Sequence, residues 1–216
     1  LKRKKKSAKF SNFEEWEPHY QRILEYFSFD RSRDEESARI LSHLLPRDDL
    51  PLLEKQAMGE VITVAGNAPA LGEELEKIEG KLWAADAAAE RCMNWKILPD
   101  AVFTDLDGAT DLFLEMNSKG TIMVIHAHGD NMPLLRYWVP KFPGPLVGTT
   151  QSHPLPHVHN FGGFTDGDRA VFTAHAMGAR EVRIIGFDLD DTQVDPVKRG
   201  KLFWARKLLH LLGYDL

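Results

Sequence analysis

From residue 59 onward the chain repeats one pattern: a short apolar or β-branched run, a polar or small-residue break, then an amphipathic stretch. The runs cover residues 61–65, 81–85, 99–104, 121–126, 146–151 and 181–185. Runs this short and this continuously apolar read as strands buried on both faces, alternating with helices. The pattern predicts an α/β fold with a mostly parallel sheet of about six strands flanked by helices. In such a sheet ligands bind beyond the carboxyl ends of the strands, so the residues that follow each run carry the functional information.

Those residues are unusually acidic. Asp86 follows the second run, Asp105 and Asp107 the third, Asp130 the fourth and Asp188 the last. The first run instead enters Gly66-Asn67-Ala68-Pro69, a turn of small residues where a ligand can approach the backbone and an anion can meet free N–H groups. The fifth ends in Thr149-Thr150-Gln151. Carboxylates gathered at one sheet edge repel each other unless a cation joins them. Carboxylate oxygens are hard ligands suited to Mg²⁺ and, through it, to phosphate.

Three further regions complete the layout. Residues 1–10 hold six basic residues and no acid, and read as a flexible tail. Residues 11–58 form a helical segment, with Asn12 as N-cap and Trp16, Tyr20, Ile23, Leu24 and Phe27 at helical spacing; a second helix is expected over 34–45. This segment carries no evident chemistry and packs either on the main domain or on another subunit, which leaves room for a homo-oligomer. The catalytic α/β domain spans 59–216. Within it, residues 152–164 combine three histidines, two prolines and two glycines, the mark of a functional loop. Thr165 or Asp166 caps the next helix, whose dipole Asp168 complements. The closing stretch 198–212 is predicted to bury Trp204, Leu208, Leu209 and Leu212 and to turn Lys198, Arg199, Lys201, Arg206 and Lys207 to solvent.

Charge and composition exclude several classes. Taking the six basic residues of the tail from the 27 in the chain leaves 21 against 32 acids, so the body stands at −11 and offers no broad nucleic-acid surface. No apolar run approaches the roughly 20 residues that span a bilayer, and the basic start is not followed by an apolar signal region. The single cysteine, Cys92, excludes an intrachain disulfide and a cysteine zinc cluster. A cytoplasmic enzyme is the expectation.

Taken alone, single motifs point in different directions. Phe103-Thr104-Asp105-Leu106-Asp107-Gly108 mimics the nucleophile motif of haloacid-dehalogenase-type phosphatases, with Asp105 as nucleophile, although it lies on the third strand. His126-Ala127-His128-Gly129-Asp130 is similar to the metal-ligand string of metallo-β-lactamases, without a clear second ligand set. A nucleotide-binding domain without catalysis is a third reading.

Several strings together resemble one family, the archaeal 6-hydroxymethyl-7,8-dihydropterin diphosphokinases, whose catalytic domain is similar to thiamin diphosphokinase. They are Glu14-Glu15-Trp16-Glu17-Pro18, Ala65-Gly66-Asn67-Ala68-Pro69, Ala84-Ala85-Asp86, Thr104-Asp105-Leu106-Asp107-Gly108, His126-Ala127-His128-Gly129-Asp130-Asn131, Thr149-Thr150-Gln151, the stretch 160–170 and Gly186-Phe187-Asp188. Ala87 departs from the glycine expected after Asp86.

The resemblance implies Mg²⁺-dependent transfer of diphosphate from ATP to the pterin, in folate-like or methanopterin biosynthesis, with thiamin diphosphokinase as the alternative on substrate. The expected metal ligands are Asp86, Asp105, Asp107 and Asp130. Gly66, Asn67, Pro69, Asp86, Gly108 and His128 would receive nucleotide. Asn131, Thr150, Gln151, Asn160 and Phe161 would bind the pterin. Asp166 and Asp168 would bind a second metal or accept the hydroxyl proton. His126 and His128 either shape the site or donate to phosphate.

Overall fold

The computed structural model describes residues 12–216. The basic tail expected over residues 1–10 lies outside the described residues. Three helices come first: α1 (Phe13–Phe27), α2 (Arg31–Leu44) and α3 (Leu50–Ala57). Strands and helices then alternate: β1 (Val61–Ala65), α4 (Leu71–Glu74), β2 (Lys81–Ala85), α5 (Ala88–Asn94), β3 (Ala101–Thr104), α6 (Asp111–Ser118), β4 (Ile122–Ala127) and α7 (Met132–Trp138). The chain ends with β5 (Leu146–Thr150), β6 (Val158–His159), α8 (Asp166–Ala176), β7 (Glu181–Ile185) and α9 (Pro196–Leu211).

All seven strands are parallel, in the order β6-β5-β4-β3-β2-β1-β7. The sheet is one strand larger than predicted because the 152–164 loop contributes β6, a two-residue edge strand pairing Val158 with Gly148 and His159 with Thr149. Between β3 and β4 the amphipathic stretch forms α6, on which Met116 is fully buried.

Alternate residues along each strand enter opposite cores, as the period of two requires. Leu82, Val102, Met123 and Ile125 join one face with Ala38 and Leu41 of α2. Trp83, Phe103, Val124 and Val147 join the other with Val171 and Ala174 of α8. A third cluster docks α1: Trp16, Tyr20 and Ile23 pack on Phe172 of α8 and on Trp204 and Leu208 of α9. Fully burying a side chain of this size contributes about 1.5–3 kcal/mol, so α1 is held by tertiary packing rather than by its own propensity.

The two cores define where the site falls. After β1 the chain enters α4, whose Leu71 joins the first core; after β7 it enters α9, whose Leu209 joins the second. Neighbouring strands whose connections leave to opposite faces open a crevice at their carboxyl ends. At its base the ends of β1 and β7 touch. A Cβ on Gly186 (φ +64°) would lie 2.5 Å from the Gly66 carbonyl oxygen, and one on Gly66 would lie 2.6 Å from the Gly186 carbonyl oxygen. Gly186→Ala therefore meets both a left-handed backbone and a main-chain clash. It is expected to cost about 2–3 kcal/mol and to lower the melting temperature by roughly 5–10 °C. A thermal melt of the variant checks this, and an unchanged midpoint would mean that the crevice floor is not fixed by this contact.

Candidate active site

The carboxyl ends of β1, β2, β3, β4 and β7 surround a cavity of about 880 Å³. Its acidic wall is built by a strained turn. Leu106 adopts a left-handed backbone (φ 70°), unfavourable for a branched side chain, and is held there by full burial and by its N–H donating to the Thr104 hydroxyl at 2.8 Å. The turn sets Asp105 and Asp107 on the cavity lining. Asp107 N–H donates to Asp105 Oδ1 at 3.0 Å, and the Thr104 hydroxyl donates to Asp86 Oδ1 at 2.9 Å. Asp86 is itself left-handed (φ 45°). Beside it, a Cβ on Gly108 would stand 3.3 Å from Asp86 Oδ2.

These acids sit in different electrostatic states. Burial pushes the Asp86 carboxyl above the ordinary range, the Thr104 hydroxyl pulls it back, and the charges of Asp105 and Asp107 raise it again. Burial acts upward on Asp105 too, but there it is outweighed. The His128 Nε2 contact at 3.3 Å, the Asp107 N–H and the charges of His128 and Arg169 together bring Asp105 down to about 2. That contact is an ion pair only with the imidazole protonated.

The start of α8 supplies the next acid. Thr165 and Asp168 form a capping box. Asp168 Oδ2 accepts from Phe164 N–H at 2.8 Å and Oδ1 from Thr165 N–H at 2.7 Å. Asp168 is fully buried with both oxygens engaged in the cap and does not line the cavity. Asp166 does line it, and Arg169 Nη1 donates to its Oδ1 at 2.7 Å. Burial raises the Asp166 carboxyl well above the usual range; Asp105 and Asp86 add to the rise and Arg169 opposes it.

Gly66, Asn67, Ala68 and Pro69 line the cavity at the end of β1, next to β2 and its Asp86. The shape of this turn depends on a residue with no sequence signal, Arg91 of α5. Its guanidinium donates to the Ala68 carbonyl at 2.6 Å, to the Pro69 carbonyl at 3.1 Å and to the Asn67 carbonyl at 3.3 Å.

The helical segment, expected to carry no chemistry, forms part of the site. Phe29, Asp30, Arg33 and Asp34 line the cavity. Asp34 is 3% exposed and accepts three hydrogen bonds at 2.7 Å, from Tyr20 Oη, Gln151 Nε2 and Gly129 N–H. It thereby ties α1, α2 and the ends of β4 and β5 together. No local pattern marks Asp34, because two of its partners lie 95 and 117 residues away.

Of the residues expected to bind pterin, Gln151 lines the cavity, while Asn131, Thr150, Asn160 and Phe161 do not. Asn131 is buried, donating to the Asp105 and His126 carbonyls and accepting from Ser37 Oγ and His128 N–H. It positions the acidic turn from behind. Thr150 bonds Ser152, Asn160 closes the loop onto the Ser152 carbonyl at 2.8 Å, and Phe161 stacks on His159. His128 contacts Asp105, which favours a shaping role. His126, 2% exposed, bonds Thr149 Oγ1 through Nδ1 at 3.1 Å, and burial holds it well below its usual range. Its Nε2 has no hydrogen-bond partner among the described residues.

Among the described residues no group of three or more His, Cys, Asp or Glu is gathered tightly enough to hold a metal by itself. Asp130 is exposed and pairs with Arg33 at 3.4 Å. The donor set still suits Mg²⁺, which keeps several waters and binds through one or two carboxylates plus substrate phosphates rather than in a protein cage. The mutual repulsion of Asp86, Asp105 and Asp107 is what such a cation relieves. No helix among the described residues is long and apolar enough to cross a membrane.

Residues 40–194 match the profile of a family described as 6-hydroxymethylpterin diphosphokinase MptE-like. Three curated relatives are each named 6-hydroxymethyl-7,8-dihydropterin pyrophosphokinase. The protein of Methanothermobacter thermautotrophicus is 38% identical over 217 residues, covering 91% of this chain and 93% of its own. That of Pyrococcus furiosus is 39% identical over 93% of this chain and 94% of its own. That of Methanocaldococcus jannaschii is 34% identical over 93% and 95%.

Proposed function

The chain belongs to the MptE-like 6-hydroxymethylpterin diphosphokinase family, and from that premise we propose that it transfers diphosphate from ATP to 6-hydroxymethyl-7,8-dihydropterin, with Mg²⁺. The products are AMP and the pterin diphosphate, a step of folate-like or methanopterin biosynthesis. The observation that carries this reading is the convergence of Asp86, Asp105, Asp107 and Asp166 on one cavity with the Gly66–Pro69 turn.

In this reading the pterin hydroxymethyl oxygen attacks the β-phosphorus of ATP. The bond from that phosphorus to the α–β bridging oxygen breaks, and AMP leaves with the electron pair. Asp86, Asp105 and Asp107 would hold the Mg²⁺, which when bound neutralises charge on the phosphate oxygens. Asp166, a carboxylate of raised proton affinity on the cavity lining, accepts the hydroxyl proton. The Asn67–Pro69 backbone, braced by Arg91, receives the nucleotide. Gln151, fixed by Asp34, faces the pterin. Asp105 acts as a metal ligand and not as a covalent nucleophile. Asp130 and Asp168 are not needed for either role.

The test is an incubation with Mg²⁺, ATP and the pterin, followed by separation of nucleotides. AMP and pterin diphosphate in equal amounts are expected, lost on adding a chelator. ADP as the product would sink diphosphoryl transfer, and an equal rate with thiamin would move the substrate assignment.

A further inference from the structure

The basic face of α9 does not turn wholly to solvent. Lys198, Lys201, Leu202 and Ala205 lie at helical spacing (i, i+3, i+4, i+7) and line the cavity as one stripe. Their basic neighbours are tied down elsewhere: Arg199 donates to the Thr192 carbonyl at 2.9 Å, and Arg206 pairs with Asp190 at 2.7 Å. The remaining cavity-lining cations are also engaged, Arg33 with Asp130 and Arg169 with Asp166. Neither Lys198 nor Lys201 is in an ion pair among the described residues.

This matters because the cavity is formally acidic. Nine aspartates and four cations line it, a balance of −5, so a polyphosphate entering it is repelled even after one divalent cation has bound. That balance already counts Lys198 and Lys201; without them it would be −7, and they are the two lining cations not already in an ion pair with a lining aspartate. Lys201 is half-buried and close enough for its charge to act on Asp166, at the acidic wall; Lys198 stands one turn nearer the exposed rim. Leu189, Val194 and Leu202 line the same region and offer apolar surface for a nucleobase.

Resting on the diphosphokinase reading, we propose that Lys201, assisted by Lys198, grips the phosphate chain of the nucleotide from α9, in the same cavity as the carboxylates that hold the metal. Each lysine makes charge-assisted hydrogen bonds to non-bridging phosphate oxygens. The assignment makes α9 the nucleotide side of the cavity and leaves the α1–α2 side to the pterin.

The experiment is calorimetric titration of the full chain with α,β-methylene-ATP and Mg²⁺, which needs no turnover. Lys201→Met keeps the methylenes and removes the charge. It is expected to weaken binding about 10- to 100-fold, the range of one to two charge-assisted hydrogen bonds, with Lys201→Arg recovering most of the loss. Lys198→Met should weaken it less, and pterin affinity should stay within about twofold of the unmodified chain, because no pterin contact is assigned to α9. Analogue binding by Lys201→Met within about twofold of the original overturns the grip, as does an equal loss of pterin affinity. The assay for AMP separates this from the reaction itself. Unmodified enzyme that forms AMP, with an unchanged KM for ATP in Lys201→Met, removes the grip and leaves the reaction standing. Loss of analogue binding in Lys201→Met alongside no AMP from the unmodified enzyme leaves the grip and removes the reaction.

Discussion

Asp105→Asn is expected to lower kcat/KM by about 10²- to 10³-fold, or roughly 3–4 kcal/mol of transition-state stabilisation, while the protein still folds. The substitution keeps the shape of the side chain. The amide oxygen can still accept from Asp107 N–H, now at 3.0 Å, and the amide nitrogen can donate to His128 Nε2 once that nitrogen is unprotonated. What is lost is the charge. With a carboxyl brought down to about 2, Asp105 is ionised throughout the physiological range, whereas burial and its neighbours make Asp86 and Asp166 easier to protonate. Asp105 is thus the wall's most dependable anion for a cation. A variant with kcat/KM within threefold of the original would remove Asp105 from the metal site.

The same substitution has a stability signature with a defined sign. A carboxyl lowered on folding from 3.8 to about 2 stabilises the native state above the unfolded value. That contribution, on the order of 2 kcal/mol, is lost as pH falls through about 4 towards 2. Urea unfolding at successive pH values should therefore show the original protein losing its margin over Asp105→Asn across this window. Asp86 and Asp166 shift the other way, so they take up protons first as the solution is acidified. Turnover should accordingly decline on the acid side before Asp105 titrates.

The strands were legible because each is a short, continuous apolar run: β1, β2 and β7 fall on the residues that the pattern predicts. The acids at their ends were legible for the same reason, since a parallel sheet brings successive strand ends to one edge. Other features depend on contacts that local sequence does not encode. β6 exists only because Val158 and His159 lie beside β5. Asp168 and Asp166 look equivalent in sequence, yet the capping box turns one inward and leaves the other in the cavity. On α9, Lys201 and Arg206 share one amphipathic pattern, and only tertiary packing decides which meets the cavity and which meets Asp190. Arg91 shows the same limit, because its partners are main-chain carbonyls of a distant turn.

Asp34→Ala carries the largest expected effect on stability and reaches the site by a different route. Removing the buried carboxylate leaves Tyr20 Oη, Gln151 Nε2 and Gly129 N–H without their acceptor. An unsatisfied buried donor costs about 1–3 kcal/mol, and some relaxation of the cap is available, so a loss of about 3–5 kcal/mol is expected. For a chain of this size that lowers the melting temperature by about 10 °C or more. Tyr20→Phe removes one donor and keeps the carboxylate bonded to the other two, so it should cost only about 1 kcal/mol. The double variant should then be no less stable than Asp34→Ala alone, because the orphaned hydroxyl is gone; additive losses would mean that the two groups are not coupled. Activity adds an independent readout. Asp34 fixes Gly129, next to His128 and Asp130, and fixes Gln151 on the proposed pterin side. At a temperature where the variant is still folded, kcat/KM for the pterin should fall by about tenfold or more, while affinity for the nucleotide analogue changes little. A stable variant with unchanged pterin kinetics would return the helical segment to a purely packing role. Lost nucleotide affinity with intact pterin kinetics would mean that the two sides of the cavity have been assigned the wrong way round.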